Sequence, residues 1–390
     1  MVNSILKREL RNADRILNHR DLIEKKRQAY SEQRIIKEIG VVELHPTDHC
    51  DLKCVYCTYG AHKKSDISIS QDFAYDMLPR IVELKPKAIV FAGGGEPLLY
   101  DYKGKRFNDI VHFFKQGIPE IKLGLVTNGT CTPDEDCFGE LEWVRVSVDA
   151  VDKDTFNILK GGDFEKRLQS IISYALSPIK NVGIGFLYNR FNFKQIPKFV
   201  KVMYDKIMGE LGDEYLNKIN IQFRPTCPIE SCDCPSDNYE NAILMTPDMQ
   251  HWWNESIREM RGEMDSFNKY TKLTKFVAEQ TNIHDVMTQI KEKRTLDFKN
   301  CYISILRWTI RANGDIYPCV IKASNEIVSI GNIFEDSLDE LFKNEKKFFT
   351  FETGYCKGTE ECCRIGGVLN ELVEKNYDKN IVAQTQGLFF

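Results

Sequence analysis

The sequence has no run of about 18 consecutive apolar residues, the length that a membrane-spanning helix requires. It also lacks a secretory signal at its start, because the charged residues Lys7, Arg8 and Glu9 follow closely after Met1. An excess of positive charge is absent too: the formal net charge is -4, which argues against a nucleic-acid-binding surface. We therefore expect a cytoplasmic protein whose partners include neither membranes nor nucleic acids.

Cysteine, by contrast, is abundant, with 13 among 390 residues. A disulfide framework suits a secreted chain, whereas cysteine clusters in a reducing compartment indicate metal or redox chemistry. The length suggests two or three domains, and 42% hydrophobic and 28% charged residues are typical of a globular protein.

Three of the cysteines, Cys50, Cys54 and Cys57, lie within eight residues at the spacing C-x3-C-x2-C. Three thiolates can hold three irons of a cubane cluster, which leaves the fourth iron open to a substrate. A closed structural zinc site needs four ligands, usually in two pairs, and the fourth would have to be His45 or His49. Neither histidine stands at the usual distance from a second pair, so the loop favours an iron–sulfur cluster.

From residue 39 onward, apolar segments rich in β-forming residues alternate with amphipathic segments. The predicted strands are Ile39–Leu44, Ala88–Ala92, Ile121–Thr127, Trp143–Val148, Val182–Leu187 and Ile219–Phe223. The predicted helices between them include Phe73–Leu84, Phe107–Lys115, Phe164–Ala175 and Ile196–Met208. Apolar strands that alternate with helices indicate an α/β fold with a parallel sheet covered by helices. Where such strands and helices form an α/β barrel, the catalytic residues lie in the loops that follow the C-terminal ends of the strands.

Two flanking regions are predicted to be helical. Residues 1–38 form an amphipathic extension of one or two helices, which we expect to pack outside the domain formed by residues 39–240. They are too few for an independent leader-peptide-binding domain, because a chain of fewer than about 40 residues rarely holds a core. Residues 241–300 form a bridge with helices at Met249–Arg261, Tyr270–Gln280 and Ile283–Lys293.

The cysteine spacing, with the aromatic Tyr56 just before the last cysteine, resembles the signature of the radical S-adenosylmethionine (SAM) superfamily. The resemblance extends over roughly residues 40–367 and implies a partial parallel (β/α)6 TIM-like barrel. It also implies that Cys50, Cys54 and Cys57 bind a [4Fe–4S] cluster whose open iron chelates SAM. An electron, from a donor such as flavodoxin or ferredoxin, then releases a 5′-deoxyadenosyl radical that abstracts hydrogen from a substrate.

Several further residues follow predicted strands and match positions where the family binds SAM. Gly94, Gly95 and Glu96 resemble its GGE motif: the glycines allow close backbone approach, and the carboxylate can take an ammonium group. The alternative for this loop is a tight turn. The other candidate cofactor-binding residues are Tyr56, Thr127, Asn128, Ser147, Asp149 and Arg190.

Four of these candidates have an alternative structural role. Ser147 and Asp149 share one face of a strand end, where the family contacts the carboxylate and ribose of SAM, but they could instead cap the next helix. Tyr56 is expected near adenine or in the core. Arg190 is expected either beside the SAM carboxylate or in a surface loop.

The loop after the sixth strand contains Cys227, Cys232 and Cys234. These cysteines could donate a hydrogen atom to a substrate radical, bind another cluster, or fill apolar space. The first possibility makes them candidate catalytic residues, because a thiol S–H can quench a substrate radical.

A second cysteine group lies in residues 301–390. Cys301 precedes an Asn313-Gly314 hairpin turn, and Cys319 is predicted on the returning strand. This spacing resembles the SPASM auxiliary-cluster domain or its shortened twitch form, although the later cysteine run is reduced to Cys356, Cys362 and Cys363. The resemblance implies an α+β domain with one auxiliary [4Fe–4S] cluster, held by Cys301, Cys319, Cys356 and either Cys362 or Cys363. Four thiolates would also suit zinc.

The predicted function is that of a radical SAM enzyme that oxidises, epimerises or rearranges a small molecule, of the sugar, aminocyclitol or nucleotide class. The first alternative is crosslinking or epimerisation of a ribosomally made peptide. An alternative of another class is a zinc-binding scaffold without catalysis.

Overall fold

The structure is a computed structural model. It describes residues 19–59, 75–189, 191–226, 258–259, 261–266, 271–283, 298–325, 328–350, 370 and 373–374. Spatial contacts divide the chain into two compact units. The first contains Met1–Asp48, Ile67–Gly124 and Arg294–Phe390, and the second contains His49–Asp66 and Leu125–Lys293.

The described strands and helices alternate over most of the chain. The strands are β1 Val41–Leu44, β2 Ala88–Phe91, β3 Asp101–Tyr102, β4 Lys105–Arg106, β5 Lys122–Thr127, β6 Leu141–Ser147, β7 Asn181–Tyr188, β8 Ile219–Pro225, β9 Arg307–Ile310, β10 Asp315–Tyr317 and β11 Gly331–Asn332. The α-helices are α1 Arg20–Ser31, α2 Leu78–Glu83, α3 Phe107–Gly117, α4 Glu135–Phe138, α5 Lys153–Leu159, α6 Phe164–Leu176, α7 Ile196–Glu210, α8 Thr271–Gln280, α9 Val320–Asn325 and α10 Leu338–Lys346. None of the helices in these ranges is both long enough and apolar enough to cross a membrane.

The first unit contains a sheet with the strand order β11-β10-β9-β1-β2. Strand β1 is buried along its whole length and lies parallel to β2 on one side and to β9 on the other. Strands buried on both faces are mostly apolar, and in Val41-Val42-Glu43-Leu44 only Glu43 is polar. Strands β9, β10 and β11 form an antiparallel meander that includes the predicted hairpin at Gly314.

The second unit contains the strand order β5-β6-β7-β8, although β5 begins in the first unit. Strands β6, β7 and β8 are parallel. Helix α7 covers them through Phe199, whose ring centroid lies 4.8 Å from that of Phe186. Asp152 and Asp163 cap helices α5 and α6: each directly precedes its helix, and their carboxylates accept backbone N–H groups of the first helical turn. Parallel strands covered by helices in both units confirm the predicted α/β class.

Helix α1 packs against the C-terminal segment of the first unit. The sequence predicted the helix but not this contact. Its apolar face, Leu22, Ile23 and Tyr30, forms a buried cluster with Tyr302, Ile305 and Leu306. Within this contact, Lys26 Nζ lies 2.7 Å from Glu345 Oε1, and both side chains are fully buried. Burial lowers the pKa of Lys26 and raises that of Glu345.

Two further donors share the Glu345 carboxylate. Tyr30 donates its hydroxyl to Oε1 at 2.5 Å, and Trp308 donates its indole N–H to Oε2 at 2.8 Å. Because three donors surround one carboxylate, the buried charge is both paired and hydrogen-bonded. The network joins helix α1, strand β9 and helix α10.

Candidate functional site

The predicted cluster-binding cysteines lie in a short loop of the second unit. Cys50, Cys54 and Cys57 are partly exposed thiols outside any disulfide. The loop is attached to helix α5: Lys53 donates its backbone N–H to Lys160 O at 3.1 Å, and Val55 donates to Leu159 O at 2.9 Å. The three sulfurs are therefore carried on a backbone that is anchored between them, which fits a cluster held by three thiolates.

Tyr56, inside this loop, is anchored by a buried carboxylate. Its hydroxyl donates to Asp149 Oδ2 at 2.7 Å, and the same oxygen accepts from Lys160 Nζ at 2.8 Å. Burial raises the pKa of Tyr56 well above its ordinary value, and the nearby Asp149 charge adds to the effect. The phenol therefore stays protonated and donates to Asp149.

Asp149 is only 1% exposed, and its other oxygen accepts the Leu187 backbone N–H at 2.5 Å. Its φ of 63° lies in the left-handed region, which a residue other than glycine adopts only when its surroundings hold it there. Asp152, not Asp149, caps the following helix. These contacts make Asp149 a support for the cysteine loop, and its predicted contact with SAM stays a prediction.

The turn after β5 also meets the cysteine loop. Asn128 donates its side-chain amide to Asp51 Oδ1 at 2.7 Å, and the same nitrogen lies 3.9 Å from Cys50 Sγ. Thr127 accepts the Gly129 backbone N–H. Ser147 ends β6 and offers its carbonyl to Lys160 Nζ at 2.9 Å. The SAM contacts predicted for Thr127, Asn128 and Ser147 remain predictions.

The glycine loop belongs to the first unit, where it follows β2. Gly95 donates its backbone N–H to Thr47 O at 3.0 Å. A Cβ added to Gly94 would overlap Asp48 Oδ1, so only glycine fits there. Glu96 is 2% exposed and caps the short 3-10 helix Pro97–Leu99 by accepting the Leu98 backbone N–H at 3.2 Å.

The sequence did not single out Asp48, the carboxylate that faces the glycine loop. Its Oδ2 accepts from Arg311 Nη2 at 2.9 Å. Its Oδ1 is buried and has no hydrogen-bond partner among the described residues. A buried acceptor beside a glycine loop fits a ligand that carries an ammonium group, as SAM does. The one available signal was its position two residues before Cys50.

His45 lies on the same segment and is fully buried. Its Nε2 is 3.0 Å from Glu43 Oε1, and Glu43 also pairs with Arg307. Burial lowers the pKa of His45 to about 4. The imidazole is therefore neutral near pH 7.

The second cysteine group is described only in part. Cys301 and Cys319 are partly exposed thiols in no disulfide. Cys319 lies two residues beyond β10 instead of on the returning strand, because the strand ends at Tyr317 before Pro318. Cys301 donates its backbone N–H to Phe349 O at 2.8 Å. Several predicted site residues lie outside the described residues: Arg190, Cys227, Cys232, Cys234, Cys356, Cys362 and Cys363.

Two family profiles match the chain. The profile of the radical SAM superfamily matches residues 44–203. The profile of SPASM, an iron–sulfur cluster-binding domain, matches residues 301–364. Together they cover more than half of the chain and include both described cysteine groups.

Among curated proteins, the chain is similar to the GTP 3′,8-cyclase of Petrotoga mobilis, with 26% identity over 196 residues. That match covers 46% of this chain and 57% of the relative. The GTP 3′,8-cyclase of Alkaliphilus oremlandii is 30% identical over 185 residues, which cover 44% of this chain and 54% of the relative. The chain thus spans about half the length of the curated relatives it matches.

Solved structures share the fold at low sequence identity. Streptococcus suis SuiB bound to S-adenosylmethionine aligns with a TM-score of 0.55 at 14% identity, covering 94% of this chain and 79% of SuiB. Native anSMEcpe with bound AdoMet aligns with a TM-score of 0.52 at 18% identity, covering 83% of this chain and 89% of anSMEcpe.

These findings confirm the fold class that the sequence predicted. SAM and iron–sulfur clusters are the cofactors of the two matched domains, and the described cysteines fit them. The chain therefore belongs to the radical SAM superfamily and carries a C-terminal SPASM iron–sulfur cluster-binding domain.

Proposed function

We propose that the protein cleaves SAM reductively and uses the resulting radical to abstract hydrogen from a small-molecule substrate. The reduced cluster and bound SAM supply a one-electron cleavage of the sulfur–C5′ bond that yields a 5′-deoxyadenosyl radical. The chain's own residues hold the cluster through Cys50, Cys54 and Cys57 and offer SAM the glycine loop. A one-electron carrier such as flavodoxin or ferredoxin is the proposed donor.

The anchored cysteine loop is the observation that carries this proposal. Its three thiols lie on a backbone bonded to Leu159 and Lys160, while Tyr56 is held by Asp149. A loop of this kind keeps the three sulfurs in a fixed arrangement and supplies no fourth cysteine within its motif. An open iron follows, and an open iron is what SAM chelation requires.

The nucleotide class is the substrate that the comparisons favour. Both curated relatives described above are named for a reaction of GTP. The radical SAM profile match, residues 44–203, includes the cysteine loop and the glycine loop. We therefore propose a nucleotide or another small molecule that is oxidised, epimerised or rearranged. Anaerobic assays with nucleoside triphosphates, aminocyclitols and candidate precursor peptides would discriminate these classes. Product from peptides alone would replace the small-molecule proposal.

The test replaces Cys50, Cys54 and Cys57 with alanine together. Because these are the only thiolates of the motif, we expect 5′-deoxyadenosine formation under dithionite to fall below detection. The triple variant should still hold about four irons, the content of one cubane, at the C-terminal cysteines. The measurement combines chromatography of 5′-deoxyadenosine with iron analysis after anaerobic reconstitution.

Cys137→Ala is the matched control, because Cys137 is a buried thiol of helix α4 outside both motifs. It should keep SAM cleavage. Undiminished 5′-deoxyadenosine from the triple variant would refute the proposal. Stoichiometric zinc in the wild-type protein, with no absorbance change on adding dithionite, would instead support the scaffold without catalysis.

A further inference from the structure

The side chain of Asn370 lies against the sulfur of Cys301, the first cysteine of the SPASM match. Asn370 is fully buried, and its Nδ2 is 3.8 Å from Cys301 Sγ. The residue lies beyond the matched segment, which ends at residue 364. No motif in the sequence pointed to it.

Backbone donors fix the orientation of this amide. Tyr302 donates its N–H to Asn370 Oδ1 at 2.9 Å, and Ile303 donates to the same oxygen at 3.4 Å. Rotating the amide by half a turn would place its NH2 group against two N–H donors. The Nδ2 group must therefore face the sulfur, as a donor to a thiolate.

The turn that carries Asn370 has its own anchors on the same loop. Glu374 accepts from Asn300 N at 3.0 Å and from Asn300 Nδ2 at 2.7 Å. Val373 packs against the buried cluster that contains Tyr302. Residues 370, 373 and 374 are helical and share one face, since they are three and four residues apart. Replacing Asn370 therefore leaves two other attachments in place.

We propose that Asn370 is a positioning residue for the auxiliary cluster. Its side-chain N–H dipole, aimed at the Cys301 thiolate, raises the reduction potential of that cluster. Reduction adds one electron, supplied in solution by dithionite, and makes the cluster and its thiolates more negative. A donor aimed at a ligating sulfur stabilises this more negative state. The inference rests on the proposed use of Cys301 as a cluster ligand.

The test compares two variants of Asn370 that are close to it in size. Asn370→Asp keeps an oxygen for the Tyr302 and Ile303 N–H groups but replaces the donor facing sulfur with a second oxygen. Asn370→Leu removes the donor without adding charge. In both we expect the equilibrium constant for one-electron reduction of the auxiliary cluster to fall about tenfold, which lowers the midpoint potential by about 59 mV.

The potential is measured by redox titration of the full reconstituted protein with electron paramagnetic resonance detection. The signal that added SAM leaves unchanged reports the auxiliary cluster. Asn344→Asp is the matched control: it introduces the same change in the first unit at a side chain that donates to Ile330 O. It should leave the midpoint potential unaltered.

Equal midpoint potentials in wild type and both Asn370 variants would overturn the proposal and leave Asn370 a loop anchor. A shift in Asn370→Asp alone would also overturn it, since added charge would then explain the effect. SAM cleavage in the same samples tests the proposed function separately. If the wild-type protein forms no 5′-deoxyadenosine, the proposed function is refuted. The midpoint potential of the auxiliary cluster would still decide the role of Asn370.

Discussion

Gly94 and Asp48 meet at a contact that leaves no room for a side chain on the glycine. The carboxylate is fixed by Arg311 on one oxygen and presents the other to the loop. A methyl group at Gly94 would therefore displace either the loop or the carboxylate. Both movements disturb the place where an ammonium group would be accepted.

Gly94→Ala should consequently weaken SAM binding at least tenfold, about 1.4 kcal/mol. Titration calorimetry of the iron-loaded protein with SAM measures the effect. Gly139→Ala is the control, because a Cβ at Gly139 meets no heavy atom within 4 Å. Equal SAM affinities of Gly94→Ala and wild type would show that the loop is merely a turn.

The residue His45 makes the stability of the folded protein depend on pH. Its pKa of about 4 in the folded protein lies below the ordinary value of 6.5. Between these values the unfolded chain binds a proton that the folded protein does not, so stability falls as pH falls through this window. The full difference corresponds to about 3 kcal/mol.

We expect the free energy of unfolding of wild type to fall more steeply from pH 7 to pH 4.5 than that of His45→Gln. Glutamine stays neutral and can still contact Glu43. Urea unfolding at several pH values measures both proteins. Parallel pH profiles would mean that His45 takes up its proton at the same pH in the folded and the unfolded protein, so that burial does not lower its pKa.

The residues that the sequence identified were those with a local signature. The cysteine spacing and the glycine triplet are short patterns whose chemistry is readable without the fold. Asp48 and Asn370 were not predicted because their partners, Arg311 and Cys301, are 263 and 69 residues away in sequence. The role of a single carboxylate or amide cannot be assigned from the sequence until such a distant partner is known.

Among the elements, helix α1 depends most on one buried pair. Lys26 and Glu345 join it to helix α10, and Trp308 of strand β9 completes the network. Removing one charge would leave the other buried without compensation. This helix is therefore held by a specific ion pair in addition to its apolar face.

Lys26→Met should lower the free energy of unfolding by about 3–5 kcal/mol, the usual cost of breaking a buried ion pair. Lys25→Met is the control, because the neighbouring Lys25–Glu38 pair is about half exposed, at 50% and 51%, and should contribute less than about 1 kcal/mol. Urea unfolding followed by circular dichroism compares the variants. Similar losses in both would contradict the importance of the buried pair.

Strand positions were predictable because the buried positions of a strand are apolar: β2 is apolar along its whole length, whereas in β8 the buried Ile219, Ile221 and Phe223 alternate with polar residues. Predicted Ala88–Ala92 corresponds to Ala88–Phe91, and Ile219–Phe223 to Ile219–Pro225. Helix α5 was missed, since its seven residues are too few to show helical periodicity. The pairing of β1 with β9 was also missed, because strand sequence does not encode which strand becomes the neighbour.

Over the whole molecule, chain order and spatial grouping differ. The predicted boundaries at residues 39, 241 and 301 follow motifs along the sequence. The first compact unit instead combines residues from both ends of the chain with Ile67–Gly124. The parallel pairing of Val41 with Arg307 is one physical reason, since it places the predicted C-terminal domain and the first barrel strand in one sheet.

The pairing of β1 with β9 also determines when the sheet of the first unit can be completed during synthesis. Asp48 and Arg311, which follow these two strands, are 263 positions apart in the sequence. At about 5–20 residues per second, a ribosome needs roughly 13 to 50 s to travel that distance. During this interval the β1 edge that later meets β9 has no native partner and is open to chaperones or to other nascent chains. Completion of the sheet, and of the Asp48–Arg311 pair beside the glycine loop, must therefore wait until the ribosome has passed residue 311.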